Sequence, residues 1–412
     1  MTASLDTAIL TDKIEHLCLE NSERLTARVA KKELWIELEG GAMAIDPAIW
    51  ASFCLVPAME QEMNILMKGV HPPDGRWMGN FGKLTGIFHD WWGGRIPQVA
   101  ATGCPPWRQK LRLLRPAAGR ALFFSGGVDS FHALLLLIQR GIPPHALIFV
   151  EGFDFDHRDT GRIESYLPAV RKICAHHKMK LLRVRTNLRR LPFFRESHWA
   201  HTHGLAMAGV AHSLRDYGHI YIASSFQERG LQYYGSRWDV DPCFSSATHR
   251  FYHVGEDAGR HQKIALLAPD PLVREHLRVC WQEGTGRLNC GICEKCLRTE
   301  LSLHFLGVTD RFSGFANEDS LEDRLGRINP DVEAVVEIWL VIRGQDLSSP
   351  MASALRSLFL RVFERGEPLP WDFRGSESVF AAMAEFCSFR KPFIYFKVPS
   401  AEMHSRTKAG PE

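Results

Sequence analysis

Residues 121–137 read ALFFSGGVDSFHALLLL. Four apolar residues run into Ser125-Gly126-Gly127-Val128-Asp129-Ser130, and an apolar segment of helical character follows at once. Such a strand–turn–helix join puts backbone N–H groups and a partial positive charge at the mouth of a buried strand. Two glycines let the backbone approach an anion closely, and the hydroxyls of Ser125 and Ser130 add donors. This chemistry suits a phosphate or pyrophosphate. Asp129 repels an anion, so it needs a cation, and Mg2+ bridging carboxylate and phosphates resolves the conflict. A plain turn explains one helix cap, but not two glycines, two serines and an aspartate together.

Outward from this stretch, the chain alternates strands and helices. HALIFV, KLLRVRT and HIYIAS read as further buried strands. DSFHALLLLIQRG, RIESYLPAVRKICAHHK and HTHGLAMAGVAHSLRDYG read as the helices between them. Strands alternating with helices imply α/β architecture with a parallel sheet and right-handed crossovers. Their lack of strict alternation fits strands covered on both faces. Residues 1–117 read as a separate α+β region of unknown role, with ELWIELEG as a strand. Residues 118–308 form the central domain, and residues 309–412 a mainly helical region with a final strand near its end.

The 412 residues exceed one ordinary core, so two or three domains are expected. Lys plus Arg number 50 against 47 Asp plus Glu, a net charge of +3. That balance gives no global drive toward nucleic acid or an anionic membrane. The basic runs RQKLRLLRPAAGR and RVRTNLRRLPFFR read as solvated faces with a few phosphate contacts. The N-terminus lacks a signal-peptide pattern, and no stretch approaches the roughly 18 apolar residues of a membrane span. A cytoplasmic protein is expected.

The loop is neither a Walker A sequence nor a dinucleotide fingerprint. SGGVDS after a strand resembles the PP-loop ATP pyrophosphatases. The resemblance implies a doubly wound sheet of the adenine nucleotide alpha hydrolase type. It also implies ATP cleaved between its α- and β-phosphates, with AMP passed to an acceptor.

Four of the ten cysteines fall within residues 280–296: Cys280, then Cys290-Gly-Ile-Cys293-Glu-Lys-Cys296. Four thiolates at this spacing make a tetrahedral zinc site feasible, with an iron–sulfur cluster as the chemical rival. Zinc is favoured because nothing else in the sequence suggests redox chemistry. Loop and cysteines together resemble the 7-cyano-7-deazaguanine synthase branch, over roughly residues 118–305. In that branch a deazapurine carboxylate is activated with ATP, ammonia is added, and the amide is dehydrated to a nitrile; zinc is structural. HQKIALLA resembles the branch's lysine segment, which implies Lys263 near the phosphates. The branch's Asp-Tyr-Gly-Gln-Arg-His is replaced by EGFDFDHRD, where Asp154, His157 and Arg158 are loose echoes.

The expected activity is that of an ATP-dependent ligase. It activates a carboxylate-bearing acceptor, a small molecule or a protein, for attack by a nitrogen nucleophile such as ammonia, releasing AMP and pyrophosphate. Asp129, Ser130 and Lys263 are the expected catalytic residues. Ser125, Gly126, Gly127, Val128, Asp129, Ser130, Ser224 and Ser225 would bind ATP and Mg2+, and the four cysteines would bind Zn2+. Gln227, Asp239 and Asp241 are further candidates for substrate or Mg2+. The crowded His198, His201 and His203 read as helix-start polar residues. A homodimer is compatible with the chain. The alternatives are sulfur transfer to tRNA or a small molecule, and a non-catalytic nucleotide-binding module of a defence or biosynthetic system.

Overall fold

The computed structural model describes residues 8–103, 116–154, 156–225, 233–280, 282, 287–330, 332–365 and 377–388. The chain divides into two compact units, Met1–Ser225 with Tyr234–Glu256, and Phe226–Tyr233 with Asp257–Glu412.

Among the described residues the first unit holds ten strands: β1 (Ala8–Cys18), β2 (Ser22–Val29), β3 (Lys32–Glu39), β4 (Asn64–Lys68), β5 (Val99–Thr102), β6 (Arg120–Phe123), β7 (Ala146–Glu151), β8 (Lys180–Thr186), β9 (His219–Ala223) and β10 (Arg250–Val254). Its helices are α1 (Pro47–Glu60), α2 (Gly75–Trp92), α3 (Val128–Gln139), α4 (Thr160–His176), α5 (Pro192–Arg195) and α6 (Trp199–His212). The strands form one sheet in the order β10-β9-β6-β7-β8-β3-β2-β1-β4-β5. From β10 to β8 every neighbour is parallel. Within that run the order reverses between β6 and β9, an arrangement compatible with a doubly wound α/β sheet.

Both faces of the parallel strands are covered, as their composition implies. Ala121 and Phe123 of β6, Ile220 and Ile222 of β9 and Phe251 of β10 share a core with Leu205, Ala208 and Val210 of α6. Successive side chains alternate faces, so Phe149 of β7 points the other way. There it meets Tyr166 of α4, with ring centroids 6.2 Å apart.

The strands β1–β5, in a region expected to stand apart, share this sheet. β3 pairs antiparallel with β8, matching Ile36 to Thr186 and Leu38 to Val184. Side chains extend the ladder: Thr186 Oγ1 donates to the Trp35 carbonyl at 2.8 Å, and Asn187 Nδ2 to the Glu33 carbonyl at 2.9 Å. Arg183 and Arg185 of β8 lie 3.5 and 3.6 Å from Glu39 and Glu37 of β3, so charge as well as backbone matches the two strands.

The second unit is helical: α7 (Arg260–Leu267), α8 (Pro271–His276), α9 (Glu294–Phe305), α10 (Leu321–Arg327), α11 (Val332–Ile342), α12 (Ser349–Arg365) and α13 (Glu377–Phe386). Leu297 and Leu301 of α9 pack with Leu325, Ile338, Leu355, Phe359 and Met383 from the next four helices. The cysteine cluster, read from sequence with the sheet, therefore falls in this helical unit. The expected final strand lies outside the described residues. Among the described residues, no helix is long and apolar enough to cross a membrane.

Candidate functional site

The SGGVDS loop leaves β6 where the strand order reverses. Phe124 N still donates to the Ile148 carbonyl at 2.9 Å, and α3 starts at Val128. Gly126 has φ +79°, and a Cβ built there would stand 1.7 Å from Tyr166 Oη. Both conformation and space thus require glycine. Gly127 is the N-cap of α3 and brings no side-chain cap. The first N–H groups of the helix accordingly begin without an intrahelical acceptor, at the positive end of the dipole.

The hydroxyls behave differently from expectation. Ser130, 5 % exposed, donates Oγ–H to the Gly127 carbonyl at 3.0 Å, and Ser125 Oγ accepts from Gly127 N at 3.4 Å. Both hydroxyls thus take part in the hydrogen bonding of the turn itself. Ser224 is buried and donates N–H to the Val254 carbonyl at 2.8 Å, while Ser225 is exposed. Both follow β9, adjacent to β6, so they share the loop's edge of the sheet. Gln227 lies outside the described residues.

The polar loop before β10 departs from its assignment. Asp239 is held by Arg237 through two hydrogen bonds of 2.9 and 2.8 Å, and the guanidinium lies 4.5 Å from the Trp91 ring centre. Asp241 is fully buried, and burial pushes its carboxyl group up. It receives Ser236 Oγ–H at 3.0 Å and lies 2.7 Å from His253 Nδ1. Neither carboxylate stands open to Mg2+. Instead Asp241 orients a histidine that the sequence reading passed over. His253 pairs with Ile222 near the carboxyl end of β10, two strands from β6. Its short strand, RFYHV, is too polar to read as buried, and only the Phe251–His253 alternation signalled it.

The expectation for the three α6 histidines holds. His198 is the N-cap residue, His201 stacks on Trp92 at 4.1 Å, and His203 lies 3.0 Å from the Ala200 carbonyl. Burial pushes His203 down to about 4. Beside them a cavity of about 390 Å3 is lined by Arg189, Phe194, Ser197, His198 and Trp199 among others. The divergent loop after β7 is clamped from there: Arg189 donates to the Phe153 carbonyl at 2.5 Å, and Arg190 pairs with Asp156 at 2.5 Å.

Lys263 and the cysteines belong to the second unit. Lys263 sits on α7 and is 1 % exposed. Cys290 and Cys296 sulfurs are 3.8 Å apart, and Cys293 and Cys280 sulfurs 4.0 Å. Sulfurs about 2.3 Å from one tetrahedral ion are about 3.8 Å from each other. In an iron–sulfur cluster the four cysteines are shared among two or four irons, so some sulfurs lie further apart than the 4.8 Å within which all four fall here. The cluster therefore fits a single ion.

The supporting residues serve the same end. Gly291 at φ +72° makes the knuckle, where Ile292 N and Cys293 N point at Cys290 Sγ from 3.5 and 3.3 Å. Cys293 is the N-cap of α9, so the dipole faces the thiolates. Hydrogen bonds from Cys290, Cys293 and Cys296 pull the Cys280 thiol well below its ordinary range. Asn289, also missed from sequence, ties the two arms. Its Oδ1 accepts from Val279 N and Cys280 N at 2.8 and 3.3 Å, and Nδ2 donates to the Leu277 carbonyl at 2.9 Å.

No family model, curated protein or solved structure matches this chain.

Proposed function

We propose that this chain is an ATP-dependent adenylating enzyme of the PP-loop ATP pyrophosphatase type, with an adenine nucleotide alpha hydrolase-like sheet. One observation carries the reading: an uncapped helix start behind a two-glycine turn, at the reversal point of a parallel sheet. Ligands of open α/β sheets bind at that point, and the missing Walker lysine directs attention to the ATP pyrophosphatase type of loop.

The backbone of residues 125–130 would hold the β- and γ-phosphates, and Asp129 would hold Mg2+, which supplies charge to the triphosphate. The acceptor's carboxylate oxygen attacks the α-phosphorus, and pyrophosphate leaves. A nitrogen nucleophile then attacks the acyl carbon; AMP leaves, and the nitrogen gives up a proton. His253, held by Asp241, is the proton acceptor on the loop's edge of the sheet. The four cysteines would hold Zn2+ as a brace.

Sulfur transfer finds less support. The low thiol of Cys280 lies inside the four-cysteine cluster, where a metal brace would occupy it, and outside that cluster burial pushes the thiols of Cys54 and Cys174 up to about 12. A nucleophilic thiol needs the opposite shift.

The test is an acceptor screen that follows AMP and pyrophosphate, beginning with 7-deazapurine carboxylates and ammonium. Wild type should form both products with one acceptor, and Asp129→Asn should be slower by about two orders of magnitude or more. Release of ADP and phosphate would sink the reading.

A further inference from the structure

Three ligand-type side chains from distant parts of the chain meet inside the first unit, away from the glycine loop. Asp46 is the N-cap of α1, His212 is the last residue of α6, and His249 immediately precedes β10. One donor atom of each lies within 4.8 Å of the other two, and all three residues are buried. His249 lies at the amino end of β10, whereas the glycine loop leaves the carboxyl end of β6. The two strands run parallel through β9, so the cluster occupies the opposite edge of the sheet.

Hydrogen bonds decide which atoms carry lone pairs. His212 Nε2 is 3.0 Å from the Phe244 carbonyl oxygen, and His249 Nε2 is 3.0 Å from the Leu214 carbonyl oxygen. A carbonyl oxygen only accepts, so each Nε2 carries the proton and each Nδ1 a lone pair. The Asp46 carboxylate only accepts as well, and its Oδ1 takes Ala48 N–H at 2.9 Å. Three acceptor-bearing side chains thus meet in a buried interior. The Thr248 hydroxyl lies 2.9 Å from His249 Nδ1 and serves that nitrogen. His212 Nδ1 meets no donor among the described residues, and its side chain is fully buried.

An orphaned, buried ring nitrogen of His212 beside two further ligand-type groups is an arrangement that a cation satisfies. We propose that Asp46, His212 and His249 form a second metal site, binding a divalent transition-metal ion of the zinc class. Two neutral imidazoles and one carboxylate are a common zinc donor set. Backbone carbonyls receiving the far N–H of each ring are the usual outer support of metal-bound histidine. The ion would tie the start of α1, the end of α6 and the entry to β10 together. Its role is bracing, because the site lies at the edge away from the loop. The inference does not rest on the proposed adenylation.

The experiment is metal counting on the full chain, stripped with chelator and reloaded with Zn2+ or Co2+. Circular dichroism confirms that each variant is folded. The expected result is one equivalent that persists in Cys290→Ser/Cys293→Ser and disappears in His212→Gln. Co2+ in the cysteine variant should give ligand-field absorption without a sulfur-to-cobalt charge-transfer band. That measurement leaves the three ligands intact, so it stands even where His212→Gln fails to fold. A cysteine variant that binds no metal, or His212→Gln that binds as much as wild type, overturns the proposal.

Discussion

Gly126 shows how a single position can join fold and site. Its φ of +79° suits glycine, and Tyr166 Oη occupies the space where a Cβ would go. Gly126→Ala therefore meets two separate obstacles, backbone strain and overpacking, each about 1–3 kcal/mol. Chemical denaturation should show a loss of a few kcal/mol. Adding Tyr166→Phe should restore part of it, because the hydroxyl is the nearest obstacle. Equal midpoints for Gly126→Ala with and without Tyr166→Phe would contradict this account. The two serines teach a related point. Their types were legible as hydrogen-bonding groups, but Ser130 spends its proton on the Gly127 carbonyl, and only the folded turn shows that.

Among the elements, α9 and its preceding arms carry the most information from local sequence. The Cys-Gly-x-Cys-x-x-Cys spacing was readable because three cysteines sit on one knuckle and the first helical turn. Asn289 was not readable, since its partners Leu277, Val279 and Cys280 are nine to twelve residues away and leave no spacing rule. Asn289→Ala removes three hydrogen bonds that hold the cysteine arms in register. Outer-shell losses of this kind typically weaken metal binding about 10- to 100-fold. Competition with a chromophoric chelator should show that weakening, with the four thiols still present. Unchanged metal retention would mean that the arms are positioned without Asn289.

For the molecule as a whole, the buried histidines predict how stability varies with pH. His203 is held at about 4 by burial, against an ordinary value near 6.5. Between those values the unfolded chain binds a proton that the folded chain refuses. Stability is therefore present above about pH 6.5 and is lost as pH falls toward 4, by at most about 3 kcal/mol from this one group. Denaturation of wild type should weaken across that window, and His203→Gln should flatten the decline. An equally steep decline in the variant would assign it to other groups.

The central α/β alternation, the glycine loop and the cysteine knuckle were determined by sequence alone. Each is local: a strand, turn and helix in series, or cysteines three residues apart. Tertiary structure decided the rest. It joined β3 to β8 across about 150 positions, so β1–β5 became part of the sheet. It set Asp241 against His253, and it gathered Asp46, His212 and His249 from three elements. In each case the partners are far apart in the chain. What pairs them is the backbone hydrogen bonding of a shared sheet and the desolvation of a common interior, and neither leaves a periodic mark on the residues involved.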